Sequence, residues 1–250
     1  MSNVQLINNL PFMLLSGYSN DNIWLTVHKK SVKKGVLLKN KMDGYTSIPL
    51  AHNKICDSRR ANKGVSKDCI CRYCYSYIQA SIHPSIRSKM EHNTVQFSNL
   101  GYTPKLIYTI NNRLRYISFG DVSSHIQVVN ILKHAQVNGH LKKAVWTKMY
   151  GYWKGKQLNG NIENLNLIWS CSKLNCTKFI IPKGFNKSFY VYTDKENLTD
   201  AKIQAQKEGH KVIECNKQCS ICNHCYDDST PAIVMELLKI GNGKVKIPLN

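Results

Sequence analysis

Eight of the ten cysteines fall into two groups: Cys56, Cys69, Cys71 and Cys74 early, and Cys215, Cys219, Cys222 and Cys225 late. The late stretch, "CNKQCSICNHC", has the spacing C-x3-C-x2-C-x2-C. A tetrahedral zinc site commonly joins two C-x2-C knuckles across a dozen or more residues, so that two loops reach the ion from opposite sides. Here nothing separates the knuckles. Such a run instead wraps one short loop around a wider body, as the ferredoxin cysteine run wraps a cubane cluster. The spacing therefore points to a 4Fe-4S centre, with zinc as the alternative. With four thiols at hand, His224 reads as a solvated loop residue rather than a ligand.

The early group, around "CICRYCYS", is less regular. Alternate residues of an extended segment point in opposite directions, so Cys69 and Cys71 share a metal only if the chain turns between them. Cys71 and Cys74, at C-x2-C spacing, form the firmer pair. Cys56 lies 13 positions before Cys69, behind the basic stretch "DSRRANKGVSKD", and completes the set if its segment swings in. Whether the two groups build one metal site or two is open at this level.

A chain of 250 residues can bury a proper core without disulfide staples. The first residues lack the basic start and apolar stretch of a secretory signal, and no segment has the roughly 18 apolar residues of a membrane span. A cytoplasmic protein with no membrane partner is the expectation, and in that reducing compartment clustered thiols bind metal or do redox chemistry. Thirty-five basic against fifteen acidic residues give a formal charge of +20, which attracts nucleic acid or another phosphate-rich partner. Basic stretches such as "LKKAVWTKMYGYWKGK" interleave aromatics, the mixture that stacks bases. Oligomeric state is not legible.

The elements that must carry these groups alternate. Residues 1–47 read as an irregular N-terminal segment with strands at "IWLTVH" and "GVLLK", and residues 74–96 as largely helical, broken or kinked at Pro84. Strands follow at "RLRYISFGD", "KAVWTK", "LNLIWSCS", "SFYVYT" and "HKVIEC", the last running into the late cysteines. Helices are expected at residues 123–139, capped by Ser123 or Ser124, and at "KENLTDAKIQAQKEG". The pattern predicts an α/β fold of parallel βα units, a partial or complete TIM-like barrel with cysteine-rich metal-binding loops. Residues 48–226 form its core and 227–250 a C-terminal tail. In such folds chemistry sits at the carboxyl ends of strands. Gly120 and Asp121, Thr147 and Lys148, Ser170 and Cys171, and Thr193 and Asp194 all fall there.

"CRYCY" resembles the end of the cluster loop of the radical S-adenosylmethionine superfamily, and "YISFGD" is similar to its second-strand segment that meets the cofactor's amino group. The superfamily's C-x3-C-x2-C loop is not reproduced, since its first position falls on Lys67. The order of motifs across residues 48–226, an early loop ending in Cys-Tyr, then "FGD", "WTK", "IWSCS" and a terminal "CxxCY", more closely resembles the phage gene product 88 domain family. That resemblance implies a phage or prophage origin and carries no reaction with it. The combined expectation is an iron-sulfur protein with one or two clusters, of radical S-adenosylmethionine-like type. Gly120, Asp121, Lys148 and Ser170 would then face the cofactor. The alternative is a non-catalytic, zinc-stapled protein that binds nucleic acid.

Overall fold

The computed structural model describes residues 23–27, 31–33, 36–38, 46–60, 68–109, 111–154, 162–216, 219–227 and 229–238. Parts of the basic stretches at 28–35, 57–68 and 141–156 lie outside the described residues, as do most of the N-terminal segment and the end of the tail.

In chain order the elements begin with β1 (Thr26–Val27), β2 (Ser31–Lys33), β3 (Val36–Leu38) and β4 (Thr46–Ile48). Helix α1 (Lys54–Arg60) and a 3-10 turn at Ile70–Tyr73 lead into α2 (Tyr75–Ile82) and α3 (Pro84–Ser98). The alternating part comprises β5 (Arg113–Tyr116), α4 (His125–Val137), β6 (Lys142–Thr147), α5 (Tyr150–Trp153), β7 (Leu165–Leu174), β8 (Lys187–Tyr192) and α6 (Lys195–Lys207). It closes with β9 (Val212–Glu214), the short helices α7 (Cys219–Cys222) and α8 (His224–Asp227), and β10 (Ala232–Leu237).

Eight strands form one sheet in the order β1-β4-β5-β6-β7-β8-β10-β9, while β2 and β3 pair separately. Every ladder from β4 to β9 is parallel, and only β1 runs antiparallel, against β4. The parallel βα reading therefore holds. A complete barrel does not form: the antiparallel two-residue β1 occupies one edge, β9 the other, and among the described residues no ladder joins them. Segment 232–237, placed by the sequence pattern in a C-terminal tail, is instead an inner strand between β8 and β9.

Side-chain alternation sorts the two faces of the sheet. Leu114, Tyr116 and Val145 pack against Val128, Ile131, Leu132 and Ala135 of α4. Tyr190, Tyr192, Ile233 and Met235 pack against Leu198, Ala201 and Ala205 of α6. Register relates these strands so that both helices cover the same face. The opposite face carries Ala144, Ile168, Phe189, Val191 and Val234, with Tyr226 and late cysteines laid over it. The caps follow from residue type. Ser124 accepts from the Gln127 amide to start α4, Asp194 accepts from the Asn197 amide to start α6, and Pro84 opens α3 after α2 has ended.

Candidate functional site

A cleft of about 460 Å³, counting the space that opens to solvent, lies at the carboxyl ends of β5 and β6. Cys56, Cys71 and Cys74 line it together with His52, Arg59, Arg60, Gly120, Asp121 and Lys148. Three of the four early cysteines and three of the four expected cofactor residues thus meet in one place.

Each arrives by a traceable local cause. Asn53 caps α1 by accepting from the Cys56 amide at 2.9 Å, and its own amide donates to the Val122 carbonyl at 2.8 Å, which fastens the Cys56 helix to the loop after β5. The segment read as a basic loop is therefore partly the helix that carries Cys56. Cys71 sits on the 3-10 turn and Cys74 follows it, just before α2. That turn brings the C-x2-C pair round. Cys69 precedes the turn, is buried, and bridges to Lys173 of β7. It stays outside the cleft wall.

Gly120 has φ of +62°, and a Cβ there would run into the carbonyl oxygens of Leu50 and Ala51. Only glycine lets this backbone lie so close to the end of β4. Asp121 accepts from the Thr147 hydroxyl at 2.6 Å, the Lys148 amide at 2.7 Å and the Val122 amide at 2.8 Å. Burial raises its carboxyl above the usual range against the pull of those donors and of the Lys148 charge.

The three thiols differ. Burial pushes Cys56 up to about 11, with the Asp121 and Cys74 charges adding to it and a hydrogen bond from the Asn53 backbone and the Lys148 charge opposing. Burial pushes Cys71 up to about 12, with Lys148 opposing and Cys69 adding. Burial also raises Cys74, yet hydrogen bonds from His52, Ser76 and the Tyr77 amide outweigh it and bring the thiol down to about 7. His52 Nε2 lies 2.8 Å from Ser76 Oγ, which lies 3.2 Å from Cys74 Sγ. Arg60 stacks over the Tyr77 ring at 3.7 Å. The cleft is a cationic pocket with sulfur donors, and soft thiolates suit iron-sulfur centres or zinc. As the side chains stand, the described residues contain no group of three or more His, Cys, Asp or Glu placed to hold a metal ion.

The late cysteines occupy a second place. Cys215, Cys219 and Cys225 pack on the sheet face opposite α4 and α6. Burial and the charges of Cys215, Cys219 and Cys222 push Cys225 up to about 12, opposed by Arg115. The Arg115 guanidinium stacks over Trp146 at 4.7 Å. The Cys225 carbonyl accepts from Asn166 at 3.1 Å, and Asp227 pairs with Arg113 and Lys142 at 3.0 Å each.

Ser170 does not join the cleft; it lies within β7 opposite Phe189, because β7 runs on to Leu174. Thr193 and Asp194 also serve locally, bonding Asn175 and capping α6. The sequence reading missed His52, Arg59 and Arg60. The legible signal for them was Asn53 as a helix start in "AHNKICDSRR", which would have carried these residues along with Cys56.

Comparison of the chain with family models, with curated proteins and with solved structures finds no match.

Proposed function

We propose that the chain is an iron-sulfur protein in which Cys56, Cys71 and Cys74 hold a 4Fe-4S cluster in the cleft, as in the radical S-adenosylmethionine-like reading. One observation carries this. Three thiols from two separate segments, α1 and the 3-10 turn with its following residue, line one cleft with Gly120, Asp121 and Lys148 at the ends of adjacent parallel strands. Ligand sites in open parallel sheets sit at such ends.

A cluster bound there supplies single electrons. The chain's own residues do the rest. Cys56, Cys71 and Cys74 would hold such a cluster and would leave the rest of the cleft to a small molecule. Lys148 and Arg59 present cations to its anionic end, and Asp121 holds the Lys148 backbone in place. Gly120 keeps the wall thin where a side chain would collide with Leu50 and Ala51. His52 and Ser76 favour the Cys74 thiolate, the form that binds iron. The motif order shared with the phage gene product 88 domain family belongs to this reading and gives it a phage or prophage setting.

The second reading, a zinc-stapled protein that binds nucleic acid, draws on the late cysteines packed into the core and on the charge of +20. Iron, acid-labile sulfide and zinc analysis of anaerobically purified protein decides between them, with equilibrium dialysis against S-adenosylmethionine. Iron with matching sulfide, and S-adenosylmethionine binding lost in Cys71→Ser, is the expected result. Stoichiometric zinc without sulfide overturns the proposal.

A further inference from the structure

Cys171 and Cys176 belong to neither cysteine group and have no part in the cleft wall. They nevertheless share one small cluster with Phe179, Tyr190 and Tyr192 on the face covered by α6. Cys176 packs against the cluster that holds Cys171, close enough for the two thiols to act on each other and on the Tyr190 and Tyr192 phenols.

The backbone around them is built to make this approach. Between Ser170 and Leu174 the register of β7 against β8 shifts, a bulge that re-aims the strand where Cys171 sits. Asn175 then turns the chain with φ of +50°, held by its amide on the Val191 carbonyl at 3.0 Å and by the Thr193 amide on its side chain at 2.9 Å. The Cys176 carbonyl accepts from the Tyr192 hydroxyl at 2.9 Å. Strand on one side and pinned turn on the other thus fix the backbone that carries both sulfurs, and the Cys176 thiol donates to the Lys178 carbonyl at 3.5 Å. Their exposures differ: Cys171 is 6% exposed, whereas Cys176 is half-buried and reachable from solvent.

We infer that Cys171 and Cys176 form a redox-active dithiol that exchanges with low-molecular-weight disulfides, with Cys176 as the attacking sulfur and Cys171 as the resolving one. The Cys176 thiolate attacks one sulfur of the small disulfide and releases one small thiolate, which takes up a proton. The Cys171 thiol then loses its proton and attacks Cys176 in the mixed disulfide, and the second small thiol leaves. The protein has given up two electrons and two protons, the small disulfide has gained both, and one S–S bond has replaced another. Accessibility sets the order, because exchange begins at the sulfur that the reagent can reach. The inference is independent of any metal in the cleft.

The full chain, incubated with oxidised glutathione, alkylated and mapped by peptide mass spectrometry, tests it. The expected outcome is a linked Cys171–Cys176 pair, lighter by two hydrogens, unalkylated and reversed by dithiothreitol. Cys171→Ser should abolish the link and accumulate a glutathione adduct on Cys176. Cys176→Ser should abolish it and leave Cys171 without adduct. Alkylation of both residues in the unaltered chain at glutathione ratios that oxidise its other thiols overturns the inference. So does a Cys176→Ser variant whose Cys171 takes glutathione as readily as Cys176 does, since Cys171 would then not be the shielded partner. Because the first measurement needs no substitution, a variant that fails to fold does not blunt the test.

Discussion

The hydroxyl of Thr147 donates to Asp121 Oδ1 at 2.6 Å, joining the chain that leaves β5 to the last residue of β6. With the Val122 and Lys148 amides on the same carboxylate, both of its oxygens are engaged by the protein. Asp121 therefore acts on the cleft by positioning Lys148. Asn at this position replaces one acceptor by an amide that donates toward a donor. A buried bond to a charged group is worth about 1.5–3 kcal/mol, and a mismatched pair loses at least that. Asp121→Asn should lower unfolding free energy by about 2–3 kcal/mol, and Thr147→Val by about 1 kcal/mol, in urea denaturation followed by circular dichroism. Equal stability of Asp121→Asn and the unaltered chain would mean that these bonds do not hold the rim.

Gly120 gives a sharper test of the same rim. Its positive φ and the two carbonyl oxygens in the place of a Cβ leave no relaxed conformation for alanine. Backbone strain of this kind costs about 1–3 kcal/mol before any collision is counted. Gly120→Ala should thus be destabilised by at least that much, and the loss should coincide with loosened protection of the Leu50 amide, which donates to the Phe119 carbonyl at 3.0 Å. Hydrogen exchange at Leu50 unchanged by the substitution would count against the close approach.

The βα alternation from β5 to β9 was readable because buried parallel strands are apolar runs and α4 starts at the serine pair read as its cap, of which Ser124 serves; Asp194, read as a strand-end candidate, caps α6. Gly120, Asp121 and Lys148 were readable as strand ends for the same reason. β4 was not: three residues, Thr46–Ile48, carry too little periodicity, and their strand character comes from pairing with β5, far along the chain. β10 was missed because "AIVMEL" follows the late cysteines, where a tail was expected, and its place between β8 and β9 is set by tertiary pairing. Spacing favoured Cys71 as the partner of Cys74 but left the place of Cys69 open. Only the start of the 3-10 turn, and the bridge to Lys173, separate them.

Acid should destabilise the chain through His134. The Tyr116 hydroxyl lies 2.6 Å from His134 Nδ1, and the ring is enclosed by Phe97 and Tyr102, with Lys143 adding positive charge. Burial, then Lys143, lowers its value from 6.5 to about 4. The folded state thus holds this imidazole neutral where the unfolded chain protonates it. Its contribution is fully present above the unfolded value of 6.5 and is lost as pH falls through about 4. A shift of that size corresponds to about 3 kcal/mol across the window. Urea midpoints measured from pH 7 down to pH 4 should fall for the unaltered chain and fall less for His134→Gln. Parallel pH profiles for the two would remove His134 from the account.

The last prediction is that the two cysteine groups are independent. The early cleft lies beyond the carboxyl ends of β5 and β6, at Gly120, Asp121 and Lys148. Asp227, two positions past Cys225, is moored at the other ends of the same strands, for it pairs with Arg113, the first residue of β5, and Lys142, the first of β6. A strand rises about 3.3 Å per residue, so the Asp227 mooring and the cleft lie at opposite ends of β5 and β6, while Ile70 of the early turn packs with Cys215, Cys219 and Cys225 on the sheet face between them. Cys222→Ser/Cys225→Ser should then remove the late centre's metal and leave the early centre's iron and any S-adenosylmethionine binding in place. Cys71→Ser/Cys74→Ser should do the reverse. With two cubanes, iron analysis reads about eight per chain before substitution and about four after either. Loss of all iron from one folded double variant would mean that the groups close on a single centre, and the separation across β5 and β6 would not describe the metal-bound chain.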